Sequence, residues 1–116
     1  MQLPSSHFDQ KRLDELNGLS GDLISDLVSI FLETVPEQFS QLESAFADQS
    51  SEDFWRSAHA LKSTSSNIGA ARLQLLSTNA ETIGKEGDLR TAEAVVNDLR
   101  VELGLIIEIL RSQLKN

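Results

Sequence analysis

A chain of 116 residues carrying 10 lysines and arginines against 18 aspartates and glutamates is one domain's length with a formal charge of −8. That charge repels phosphate backbones, which argues against nucleic acid as a partner and for a soluble monomer. The lack of cysteine excludes disulfides and thiolate metal sites, and two histidines without an HExxH or Glu-x-x-His pair give no basis for a buried transition metal.

In chain order, residues 1–7 read as a loose lead-in in which His7 has no evident role. Phe8 to Leu16 has a short helical pattern, with Asp9 as the cap and Leu13 and Leu16 facing inward, ended by Asn17, Gly18 and Gly21. A long helix is predicted from about Asp22 to Asp48, because Leu23, Leu27, Phe31, Val35, Phe39, Leu42 and Phe46 recur along one stripe. Pro36 removes a backbone donor within it, and a kink is expected rather than a break because the stripe keeps its phase. Ser50 with Asp53 resembles a capping box and opens a helix from about Ser51 to Ile68, with Phe54, Ala58, Leu61, Ser65 and Ile68 inward. Gly69 is its stop.

The next helix, about Ala70 to Lys85, turns Leu73, Leu76, Ala80 and Ile83 inward, and Gly84 and Gly87 read as a turn. Asp88 is the expected cap of a last helix running to about Leu114 on Ala92, Val96, Leu99, Leu103, Ile106 and Leu110. No segment has a period of two. The prediction is therefore an all-α, antiparallel four-helix bundle with a short additional N-terminal helix, in a single domain. No apolar run approaches the ~18 residues needed to span a bilayer and no signal-peptide pattern opens the chain, so the expectation is a cytoplasmic protein with no membrane insertion.

The chemistry-bearing segment is Ala58 to Ala70. With the inward stripe of its helix set near zero, His59 lies roughly 140° around the axis and Ser66 roughly 120°. Lys62 and Ser63 flank the same outward patch, at roughly 80° and 180°. An exposed imidazole, small serines that leave room for a large partner and one neighbouring cation are what in-line phosphoryl transfer requires. A solvated histidine beside serines is also a common surface feature. Spacing alone does not separate a carrier from an ordinary surface residue.

The run His59-Ala60-Leu61-Lys62-Ser63-x-Ser65-x-x-Ile68-Gly69-Ala70 resembles the signature of histidine-containing phosphotransfer (HPt) domains, His-x-Leu-Lys-Gly-Ser-x-x-x-aliphatic-Gly-Ala. The resemblance extends over nearly the whole chain, from Phe31 and Pro36 in the long helix to Gly87-Asp88-Leu89. It implies a carrier that takes a phosphoryl group from a receiver-domain aspartate and passes it to another receiver. His59 would be phosphorylated through Nε2, and Lys62 would offset phosphoryl charge. Ser63 stands where the family usually has glycine, a departure to another small residue.

Glu81 would accept a hydrogen bond from Nδ1 of the histidine, the alternative being an ordinary solvent-facing glutamate. Lys85 would add positive potential. Receiver docking would use Ser63, Ser66, Trp55, Leu13, Leu16, Ile24, Val28 and Lys85, although the apolar ones read individually as core. No cofactor is expected, with Mg²⁺ supplied by the receivers. The partners implied are receivers of response regulators or hybrid kinases. The chain reads equally as free-standing or as the terminal domain of a hybrid sensor kinase.

Two other readings compete. A histidine kinase would need a glycine-rich nucleotide loop, room for an ATP-binding domain and His-Glu-x-x-x-Pro, whereas Ala60 follows His59 here. A helical adaptor that binds a signalling partner without chemistry suits the same fold and differs only at the site.

Overall fold

Short polar breaks between long amphipathic stretches make neighbouring helices run back along one another. The computed structural model, which describes residues 6–114, has that arrangement. Its helices are α1 Gln10–Asn17, α2 Gly21–Ala47, α3 Ser51–Asn67, α4 Ala71–Glu86 and α5 Glu93–Leu114, with a 3-10 turn at Leu89–Thr91. No strand occurs among the described residues. Helices α2 to α5 form the antiparallel bundle and α1 is the short N-terminal addition. Of the lead-in expected over residues 1–7, residues 1–5 lie outside the described residues.

The local signals act where the side-chain chemistry demands. Ser20 accepts from the Leu23 amide at 3.2 Å and Ser50 from the Asp53 amide at 3.4 Å, each satisfying an orphan donor of a first turn. Helix α2 passes through Pro36 as one element, with the proline on its exposed side. The inward stripes of α3 and α5 are buried: Phe54, Ala58, Leu61 and Ser65 on one, Val96, Leu99, Leu103, Ile106 and Leu110 on the other, with Ala92 buried just before α5. Each large apolar side chain so covered contributes about 1.5–3 kcal/mol.

Three expectations are corrected. Leu23 is 54% exposed, because the buried face at the start of α2 runs through Ile24 and Val28 to Phe31, with Ile24 and Leu27 packed on the core and Leu23 to one side of it. Gly84 lies inside α4, and the turn glycine is Gly87, whose φ of 85° is the left-handed value that ends a helix. Asp88 caps the 3-10 turn, accepting from the Arg90 amide at 3.0 Å, and α5 begins only after it.

The N-terminal segment is tied across the far end of the bundle. Phe8 is buried, the Asp9 amide donates to the Gly69 carbonyl at 2.7 Å, and Arg12 Nε donates to the Asn67 carbonyl at 2.9 Å. His7, silent in the sequence, presents Nδ1 to Glu102 Oε2 at 2.7 Å. Glu102 is 3% exposed on α5, and Arg72 Nε lies 3.5 Å from its other oxygen. This fastening anchors α1 over the junction of α3 and α4.

Candidate functional site

Helix α3 is fixed in rotation by its buried stripe, and the one polar member of that stripe is satisfied within the helix. Ser65 Oγ donates to the Leu61 carbonyl at 2.7 Å, so its burial leaves no unpaired hydroxyl. With Ala58 and Leu61 inward, His59 must project outward, and 56% of its side chain is exposed.

Helix α4 runs antiparallel beside α3 and supplies the second half of the site. Glu81 is on the seam between the two helices, with 7% of its side chain exposed, so the solvent-facing alternative is set aside. His59 Nδ1 donates to Glu81 Oε2 at 2.6 Å, and Lys62 Nζ donates to Oε1 at 2.6 Å. Lys85 Nζ, one turn along α4, lies 3.5 Å from Oε2. One carboxylate thus serves three cationic or proton-bearing neighbours.

Burial pushes the Glu81 carboxyl up, but the hydrogen bonds from Lys62 and His59 and the charges of Lys62 and Lys85 outweigh it. The carboxyl is held at about 2, so Glu81 is ionised at neutral pH and accepts only. A pure acceptor at 2.6 Å from Nδ1 requires the proton on Nδ1. In the neutral ring the lone pair is then on Nε2, the atom turned away from the carboxylate. The arrangement is an oriented nucleophile on an open surface.

The other predicted residues divide. Lys62 is mostly covered, while Ser63 and Ser66 are exposed beside the imidazole. Trp55 is half-buried one turn before His59, with Lys85 Nζ and Arg56 Cζ each 5.0 Å from its ring centre. Leu13, Leu16 and Val28 are 2%, 1% and 2% exposed, so these three docking candidates are corrected to core, held there by the packing of α1 and α2 on the bundle. Ile24 is half-buried. The sequence reading missed Gly84 as the residue of α4 lying directly against the α3 backbone at Trp55. A glycine inside an otherwise good helix pattern was the available signal.

The family model described as "Hpt domain" matches residues 26–113. A search of curated proteins found no significant match. Among solved structures, the chain is similar to histidine-containing phosphotransfer protein B (HptB) from Pseudomonas aeruginosa PAO1. The TM-score is 0.89 at 23% identity, over 95% of this chain and 96% of that one. It is also similar to the HPT domain of the Hpt sensor hybrid histidine kinase from Shewanella, with a TM-score of 0.76 at 18% identity over 91% of each chain. At these identities the structural likeness speaks for the fold, and the family model speaks for membership. With an outward histidine on the signature helix and a match over most of its length, the chain belongs to the Hpt domain family, the phosphohistidine carriers of phosphorelays.

Proposed function

We propose that this Hpt domain carries its phosphoryl group on Nε2 of His59. The observation that carries the reading is the 2.6 Å contact between Nδ1 and the ionised Glu81, beside an imidazole more than half exposed. A receiver phospho-aspartate docks over the ring. The Nε2 lone pair forms the new N–P bond as the P–O bond breaks, and its electron pair returns to the aspartate carboxylate. Positive charge gathering on the ring is stabilised through Nδ1–H by Glu81. Lys62, bonded to the same carboxylate through Oε1, would share its ammonium between Glu81 and the incoming phosphoryl oxygens. The second transfer reverses these bond changes with another receiver.

The same reading makes the domain a monomer in the cytoplasm with neither an ATP site nor a cofactor of its own, the Mg²⁺ belonging to the receiver. Among the described residues no helix is long and apolar enough to cross a membrane. Docking is transient and small, as signalling encounters of this kind are.

The test is acid-labile phosphate transfer from phosphorylated receivers to the wild type and to His59→Gln, with labelled ATP alone as a third arm. Rapid labelling lost in the variant is expected, with no labelling from ATP. A folded wild type that accepts from no receiver favours the adaptor, and self-labelling from ATP would overturn the non-kinase assignment.

A further inference from the structure

Helices α3 and α4 approach one another at a point where one of them has no side chain. A Cβ built on Gly84 would lie 2.6 Å from Trp55 Cβ, 2.9 Å from Trp55 N and 3.0 Å from Trp55 Cα. Two of those three atoms are main chain, so the obstruction cannot swing aside as the end of a flexible side chain would. Gly84 is not among the glycines with positive φ, so backbone freedom is not what the position uses. A helix-interior glycine carries a propensity cost of about 1 kcal/mol relative to alanine. The compensating feature here is the close approach.

That approach is tied to the site by helix geometry. From Trp55, His59 is one turn further along α3; from Gly84, Glu81 is about one turn back along α4. Because the helices are antiparallel, these two steps lead the same way and bring the imidazole and the carboxylate level. Between the crossing and the hydrogen bond there is only one turn of rigid helix on each side. The separation of the backbones at Gly84 is passed almost undiminished to the His59–Glu81 contact.

We infer that Gly84 is a positioning residue for phosphoryl carriage: its missing side chain sets the α3–α4 separation that lets Glu81 hold Nδ1 of His59. The inference rests on the reading of His59 as the carrier. A methyl at position 84 needs roughly 0.5–1 Å of extra separation to reach ordinary van der Waals distance, enough to carry a short hydrogen bond toward its outer limit. The ring then loses its fixed tautomer and Nε2 is protonated in part of the population. A proton on Nε2 removes the lone pair that attacks phosphorus.

The experiment compares the wild type, Gly84→Ala and Leu76→Ala, the last a cavity variant in the buried stripe of α4 that lowers stability without wedging the helices apart. Two readouts are taken: the imidazole ¹⁵N spectrum of His59, and the rate of His59 phosphorylation by phosphoramidate. That donor is small enough to need no docking; its P–N bond breaks, ammonia leaves, and the P–Nε2 bond forms. Gly84→Ala should shift the ring toward a tautomer mixture and slow phosphorylation by about tenfold or more, the scale of one charge-assisted hydrogen bond. Leu76→Ala should keep the wild-type spectrum and rate at equal or lower stability.

If Gly84→Ala folds and matches the wild type in both readouts, the inference is wrong. If the two variants change alike, general destabilisation is the cause and the inference is again wrong. Should Gly84→Ala fail to fold, Glu81→Asp opens the gap by one methylene on an unaltered backbone. The same spectral and kinetic change is expected from it, and an unchanged ring would overturn the proposal. Failure of the wild type to form phosphohistidine would sink the carrier reading instead, while the ¹⁵N spectra would still decide whether Gly84 sets the contact.

Discussion

Replacing Glu81 with glutamine keeps the shape of the side chain and removes its charge, and the effect on stability should depend on pH. The carboxyl titrates at about 2 in the folded protein against an ordinary 4.5, burial being outweighed by Lys62, His59 and Lys85. A group depressed in this way stabilises the fold fully above its unfolded value, and the contribution is lost as pH falls from about 4.5 through about 2. At about 1.4 kcal/mol per pKa unit the ceiling is about 3 kcal/mol. His59 and Lys85 are each more than half exposed, and solvent screening brings the expected contribution to about 1–2 kcal/mol. With a urea m-value of about 2 kcal/mol/M, Glu81→Gln should lower the denaturation midpoint by about 0.5–1 M at pH 6. The difference should close as pH approaches 2. Urea titrations followed by circular dichroism at a series of pH values measure it directly. A gap of constant size from pH 6 to pH 2, or none at pH 6, refutes the argument that the charge of Glu81 is what its neighbours hold.

Lys62→Ala removes the ammonium bonded to Glu81 Oε1 and should slow acceptance from a phosphorylated receiver about tenfold, or about 1.4 kcal/mol of barrier. Rapid-quench kinetics showing an unchanged rate would remove Lys62 from the transfer step. His7→Ala leaves the buried Glu102 with Arg72 at 3.5 Å as its remaining ion-pair neighbour among the described residues and should cost about 1–3 kcal/mol. Thermal unfolding should show a midpoint several degrees lower, and an unshifted midpoint would make the fastening inconsequential. Gln49 has a φ of 55°, a left-handed conformation costing a non-glycine residue about 1–2 kcal/mol. Gln49→Gly relieves that strain, gives back about 0.5–1 kcal/mol in backbone entropy, and should stabilise the protein by about 0.5 kcal/mol in chemical denaturation. A loss of stability there would show that the Gln49 side-chain bond to the Phe46 carbonyl outweighs the strain.

What could be read from the sequence was whatever repeats within one helix. The stripes of α3 and α5 follow from a 3.6-residue period, and the same period put His59 on the outer face. The signature around His59 added the chemistry. What could not be read depends on which helix lies opposite. Leu23 continues the i, i+4 spacing of Leu27 and Phe31, yet it is exposed because the face that packs on the core there runs through Ile24 and Val28. Leu13, Leu16 and Val28 read as both core and docking face, and only packing placed them inside.

The burial of Glu81 depends on α3 arriving beside α4, which sets it against His59, 22 residues earlier in the chain. His7 and Glu102 are 95 residues apart, and no local pattern links them. Glycine was ambiguous for a related reason. Gly84 and Gly87 look alike in a sequence, but one admits a neighbouring backbone and the other turns the chain.

Trp55 is the chain's one tryptophan, and the chain has no tyrosine. Lys85 Nζ and Arg56 Cζ each lie 5.0 Å from its ring centre, at the α3–α4 crossing one turn from His59. The protein's near-ultraviolet fluorescence therefore comes almost wholly from a single ring at the edge of the candidate site. A cation 5.0 Å from an indole shapes its emission, so any displacement of Lys85 during phosphoryl loading alters the light directly. If His59 is loaded as proposed, loading and receiver docking should each register in the emission of unlabelled protein, as should unfolding, with no dye on the surface around the ring.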